Sequence, residues 1–126
     1  MKILVAEDDQ NIRSLLEIVL TGWGYDVTIA SDGNEAWLAL RSEGAPQLAI
    51  LDWMMPGMDG SEVCRKVKQE AKESYTYIIL LTAYEWEDME TGADDYLFKP
   101  FKYNELRARL HAGERTIEIQ NEATTA

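Results

Sequence analysis

Four short apolar runs in this chain end in residues able to do phosphate or metal chemistry. Glu7, Asp8 and Asp9 follow KILVA, Asp52 closes LAILD, Thr82 closes YIILLT, and Lys99 follows DYLF just before Pro100. A carboxylate at the end of a buried strand is costly unless something holds it. Carboxylates crowded together raise one another's pKa until a cation relieves the repulsion. With oxygen ligands and no histidine or thiolate cluster, the cation such a group suits is Mg²⁺, which also takes phosphate oxygens. Thr82 can donate a hydrogen bond to such an oxygen, and Lys99 can neutralise another. Asp52 is then placed to attack phosphorus and form an aspartyl phosphate. Metal, ammonium and hydroxyl would stabilise charge on the transferring group. Each residue also has a plainer role. Asp52 can cap a turn, Glu7 to Asp9 can be a charge cluster at a helix N-terminus, Thr82 can be a cap and Lys99 a surface charge.

The elements that must position these groups alternate along the chain. KILVA is a buried-strand run. NIRSLLEIVLTG carries Ile12, Leu15, Leu16, Val19 and Leu20 on a helical stripe that stops at Gly22. YDVTIA is β-branched and alternating. DGNEAWLALRSEG and DGSEVCRKVKQEA each open like a capping box, on Asp32 with Glu35 and on Asp59 with Glu62. QLAILD and YIILLT read as strands, EWEDME as a short helix, DYLF as a brief strand and YNELRARLHAGERTIEI as a long final helix. Strand and helix alternating in this way predict an α/β fold, a doubly wound five-stranded parallel sheet with helices on both faces. Ligands in such sheets bind beyond the carboxyl ends of the strands, where Glu7, Asp8, Asp52, Thr82 and Lys99 are expected to meet.

The 126 residues are expected to form one domain, with 23 Asp and Glu against 12 Lys and Arg and a formal net charge of -11. That surface repels nucleic acid and anionic membranes, so neither is expected as a direct partner. Cys64 is the only cysteine, which excludes an internal disulfide and fits a reducing compartment. The N-terminus has neither a signal-peptide nor a membrane-span pattern.

ILVAEDDQNIR, LAILDWMMPGMDG, IILLTA and GADDYLFKPF together resemble the receiver domain of response regulators, the phosphoacceptor module of two-component signalling. The likeness runs from Met1 to about Leu110. It implies a flavodoxin-like sheet of strand order 2-1-3-4-5 and a cytoplasmic protein. It implies Asp52 as phosphorylation site, Glu7 and Asp8 as the Mg²⁺-binding acid pair, and the main-chain carbonyl of Met54 as a further metal ligand. Thr82 matches the switch hydroxyl, Tyr96 the switch aromatic and Lys99 the family's lysine, with a cis bond to Pro100. Asp9 is not assigned as a ligand. The implied partners are a sensor histidine kinase or phosphotransfer protein and, in a longer parent protein, an output domain such as a cyclase or phosphatase module. A pseudo-receiver that is never phosphorylated and a turnover phosphatase are the rival readings. The phosphatase class normally carries a second aspartate where this chain has Met54.

Two departures stand out. AYEWEDMET, between Thr82 and the GADDY motif, is roughly five residues short of the usual length, about one and a half helical turns. Tyr84 to Thr91 is therefore expected to be a loop or a frayed turn. The strand edge beside it should be less covered, which favours self-association as a homodimer or segment exchange. The second departure is a helix-prone extension from about residue 111. Among other residues, His111 reads as a solvated helix position, Trp37 as part of a helix core face, Trp53 as lining the site, and Trp23 and Trp86 as peripheral. Met54 and Tyr84 occupy positions that tune phosphate lifetime in the family.

Overall fold

The computed structural model describes residues 1–70, 74–83 and 91–125. Strands β1 (Lys2–Ala6), β2 (Asp26–Ala30), β3 (Leu48–Asp52), β4 (Tyr77–Thr82) and β5 (Asp95–Phe98) alternate with helices α1 (Gln10–Gly22), α2 (Gly33–Arg41) and α3 (Gly60–Gln69). Helix α4 (Tyr103–Thr125) closes the chain. The strands form one all-parallel sheet, as the sequence alternation predicts, in the order β2-β1-β3-β4-β5 that the resemblance implies.

Successive strand residues project to opposite faces, and this parity sorts the core into two layers. Ile3, Val5, Leu48, Ile50, Ile79 and Leu81 meet Leu16 and Leu20 of α1 and Leu106, Leu110 and Ile117 of α4. Leu4, Ala6, Ala49, Leu51, Ile78 and Leu80 meet Ala36 and Leu40 of α2 and Val63, Cys64 and Val67 of α3. With both faces covered, β3 and β4 have no exposed residue, which explains why their sequences are apolar almost throughout.

The helix starts follow from their caps. The Asp9 carboxylate accepts from the amides of Asn11 at 2.9 Å and Ile12 at 3.2 Å, as the N-cap of α1. Asp32 and Asp59 accept from the amides of Glu35 and Glu62 at 2.8 and 2.9 Å. The first box closes one residue early: Glu35 reaches the Ser31 hydroxyl at 2.7 Å rather than the cap's own amide. Gly60 is required by contact, because a Cβ there would lie 2.2 Å from the Asp52 carbonyl oxygen. The start of α3 is thereby seated directly against the end of β3.

Three expectations are refined. Leu15, assigned to the buried stripe of α1, is 52% exposed. The chain after residue 111 is a continuation of α4 that stays docked: Ile117 is buried, Tyr25 donates to Glu114 at 3.1 Å and Gln47 to Asn121 at 3.2 Å. Trp37 is half-buried rather than core, with Arg41 5.0 Å and Lys66 5.8 Å from its ring. His111 is exposed and Trp23 half-buried, while Trp86 and most of the Tyr84 to Thr91 stretch lie outside the described residues. Gly92 to Asp95 do not form a helix. Gly92 adopts φ +84°, a conformation suited to glycine, and Asp95 already opens β5.

Two acids of the GADDY motif are structural. The Asp94 carboxylate accepts from the Ile78 amide at 2.7 Å, from Lys68 at 2.8 Å and from the Tyr75 hydroxyl. Asp95 takes both its oxygens to Arg109, at 2.7 and 2.9 Å.

Cys64 is fully buried, and burial first of all pushes its thiol up to about 11. At pH 8 the native protein should therefore not react with an aromatic disulfide reagent, and one thiol should appear when denaturant unfolds it. Stoichiometric reaction without denaturant would contradict this placement.

Candidate functional site

Because the strands are parallel, all their carboxyl ends open on one edge. β1 delivers Glu7 and Asp8, β3 delivers Asp52, β4 delivers Thr82 and β5 delivers Lys99. Glu7, Asp52 and Thr82 are buried, at 0%, 5% and 1% exposure, whereas Asp8 is exposed. One carboxylate oxygen from each of Glu7, Asp8 and Asp52 lies within 4.8 Å of the others. Lys99 spans the site, its ammonium 2.9 Å from Glu7 Oε1 and 3.1 Å from Asp52 Oδ1. Its backbone is pinned, since the Lys99 amide donates to the Thr82 carbonyl at 2.8 Å, and the Lys99–Pro100 bond is cis. Arg13, one turn into α1, donates to the Glu7 carbonyl at 2.8 Å and ties the helix start to the end of β1.

The electrostatics are those of surplus negative charge. Burial, and next the side chain of Asp52, hold the Glu7 carboxyl above the usual carboxylate range, against the opposing pull of Lys99. Burial works against the Lys99 charge, yet Glu7 and Asp52 together outweigh it and raise the lysine above its ordinary value. One ammonium bridges two of the three clustered carboxylates, so a further cation is favoured here. Carboxylate oxygens at this spacing suit a hard, hydrated divalent ion, and the donor set fits Mg²⁺.

The arrangement brings together five of the residues named from the sequence: Glu7, Asp8, Asp52, Thr82 and Lys99. Met54 lies two residues past β3 with its side chain 63% exposed, and Trp53 beside it is half-buried against the α2–α3 layer. Tyr96 stands apart from the acid cluster on β5, opposite Leu80. Its hydroxyl bonds that of Thr91 at 2.6 Å. Arg13 and Thr91 were given no role from the sequence. Arg13 could have been found from its place in the first helical turn, where it can reach back to the preceding strand end. Thr91 carries no local signal, because its contact depends on how the chain enters β5.

A five-stranded doubly wound sheet with an acid cluster, a hydroxyl and a bridging lysine at the strand ends defines a phosphoacceptor-type module. The chain belongs to the response regulator receiver domain family, whose model matches residues 3–111. It is 43% identical over 122 residues to the DNA-binding response regulator MtrA of Mycolicibacterium smegmatis, covering 93% of this chain and 52% of that protein. The chain thus spans about half the length of the curated relatives it matches. Among solved structures it is similar to the receiver domain of the Francisella response regulator 1452, with 32% identity and TM-score 0.82 over 91% of this chain and 98% of that one. It is also similar to the response regulator TrrA of Thermotoga maritima in complex with Mg(2+)-BeF, with 36% identity and TM-score 0.79 over 89% and 97%.

Removing the lysine should expose the repulsion. Lys99→Met should lower the unfolding free energy at neutral pH by about 3 kcal/mol, the scale of a buried pair broken from one side. Without Lys99 the folded state binds protons more tightly at Glu7 than the unfolded state does. The deficit is therefore full at neutral pH and shrinks as pH falls through the raised Glu7 titration. Urea unfolding of both proteins at several pH values checks this, and a deficit that is absent or grows on acidification contradicts it.

Proposed function

We propose that this domain accepts a phosphoryl group on Asp52 from the phosphohistidine of a sensor kinase or phosphotransfer protein, and passes the change on through Thr82 and Tyr96. The observation that carries this reading is the cluster of Glu7, Asp8 and Asp52 within 4.8 Å, bridged by Lys99. Glu7, Asp8, Asp52 and the Met54 carbonyl would hold Mg²⁺, which when bound supplies positive charge against the oxygens of the transferring group. Asp52 Oδ attacks phosphorus, the bond to the imidazole nitrogen breaks, and that nitrogen keeps the electron pair. Lys99 then exchanges part of its hold on Asp52 for a phosphoryl oxygen, and Thr82 donates its hydroxyl to another. Water attack on phosphorus later restores the Asp52 carboxylate and releases inorganic phosphate. Met54, two residues on, offers no second carboxylate for rapid turnover, so the domain acts as a stoichiometric acceptor rather than an enzyme.

A donor must reach Asp52 from solvent. Beside Lys99 lies an open groove of about 380 Å³ lined by Ile12, Leu15, Lys99, Pro100, Phe101 and Tyr103. Its apolar walls adjoin Lys99, the partner of Asp52, and are suited to seat the donor protein. The exposure of Leu15 becomes intelligible as part of that wall. The setting is the cytoplasm, where Cys64 stays reduced; among the described residues no helix is long and apolar enough to cross a membrane. Residues 1–126 act as one receiver unit, and in a longer parent protein output would belong to a further domain. DNA binding, part of the name of MtrA, would fall to that domain, because the acidic surface here opposes it.

Transfer from a phosphorylated histidine kinase tests the reading. Wild-type protein should take up one phosphoryl group per chain in the presence of Mg²⁺. Asp52→Asn should keep the circular dichroism spectrum and lose that uptake. Uptake persisting in Asp52→Asn would move the acceptor elsewhere.

A further inference from the structure

Thr91 is 2% exposed, and its hydroxyl has two hydrogen-bond partners. It accepts from the Ala93 amide at 3.1 Å and bonds the Tyr96 hydroxyl at 2.6 Å. Tyr96 shares a sheet face with Thr82. It pairs with Leu80, whereas Thr82, two residues further along β4, pairs with Phe98. Thr82 and Tyr96 are therefore diagonal neighbours, a separation that an aromatic ring can cross.

The Thr91 bond pulls the other way. A Cβ on the adjoining Gly92 would lie 3.3 Å from Lys68 Cγ, in the last turn of α3. Lys68 in turn donates to the Thr76 carbonyl at 2.6 Å, and the Asp94 amide donates to the Ile78 carbonyl at 3.0 Å. All of these lie at the amino end of β4, whereas Thr82 lies at its carboxyl end. The Tyr96 hydroxyl is thus tied toward the end of the sheet opposite the acid cluster.

We infer that Thr91 is a positioning residue, a latch that holds Tyr96 away from Thr82 and so sets how readily the domain enters its phosphorylated arrangement. The inference rests on the proposed role of Asp52. A bond made in one arrangement alone biases the equilibrium toward it. A ligand that requires the other arrangement then binds more weakly by the fraction held back. A hydroxyl pair of ordinary strength is worth roughly a two- to tenfold bias.

Beryllofluoride with Mg²⁺, titrated into the full chain and followed by Trp53 emission, reads that bias. Thr91→Val removes the hydroxyl at nearly constant shape, and Tyr96→Phe removes the same bond from its other end. Each should bind beryllofluoride roughly two- to tenfold more tightly than wild type. The double variant should bind no more tightly than either single one, and Thr91→Ser, which restores a hydroxyl, should match wild type. If Thr91→Val does not fold, because the Ala93 amide loses its acceptor, Tyr96→Phe against wild type and Thr91→Ser decides the matter alone. Equal or weaker binding by the single variants, additive gains in the double variant, or a Thr91→Ser as tight as the valine would overturn the latch and leave Asp52 untouched. Wild-type protein that takes no beryllofluoride would overturn the Asp52 reading, and the latch with it.

Discussion

Lys99 sits between two buried carboxylates, 2.9 Å from Glu7 and 3.1 Å from Asp52, and the rest of the site depends on that contact. Buried acids this close would otherwise resist folding, because desolvation and mutual repulsion act in the same direction. One ammonium offsets the cost in part and leaves an attraction for a second cation. The lysine is held at its post by the backbone. Its amide is bonded to Thr82, so the end of β5 cannot drift from the end of β4 without breaking the bridge. Arg13 does the same for β1 by binding the Glu7 carbonyl.

The fold supplies this crowding at little local strain. A parallel sheet must end all its strands on one edge, and covering both faces leaves that edge as the natural opening. Side-chain parity then decides which residues are packed and which are presented. Ile50 and Leu81 go to one layer, Leu51 and Leu80 to the other, and polar residues appear where the strands run out. The close seating of Gly60 on the Asp52 carbonyl fixes the end of β3 from below. The same geometry puts Tyr96 within diagonal reach of Thr82, and links chemistry at the edge to the flank where the chain enters β5.

Much of this was legible in the sequence. The strands announced themselves as short apolar runs, and the acids, hydroxyl and lysine stood at their ends, so parallel topology alone sufficed to bring them together. Asp32 and Asp59 were readable as caps because capping is local. What escaped was non-local or set by a helix's rotation. Leu15 fits the apolar stripe of α1 by spacing, but it faces the groove beside Pro100 and Phe101. The partners of Asp94 and Asp95 appear only when the fold places Ile78, Lys68 and Arg109 against them. Thr91 reaches Tyr96 through the turn at Gly92, a path no residue spacing encodes.

The central claim is that Asp52 is a nucleophile toward phosphorus in a carboxylate site completed by a cation. The most direct measurement is the intact mass of the protein after incubation with a small acyl phosphate, with and without Mg²⁺, followed by borohydride reduction and peptide mapping. The account predicts one labile phosphoryl group per chain, formed only with Mg²⁺, and a reduced residue at position 52. No gain in mass, a gain independent of the metal, or a label mapping to any other residue would contradict it.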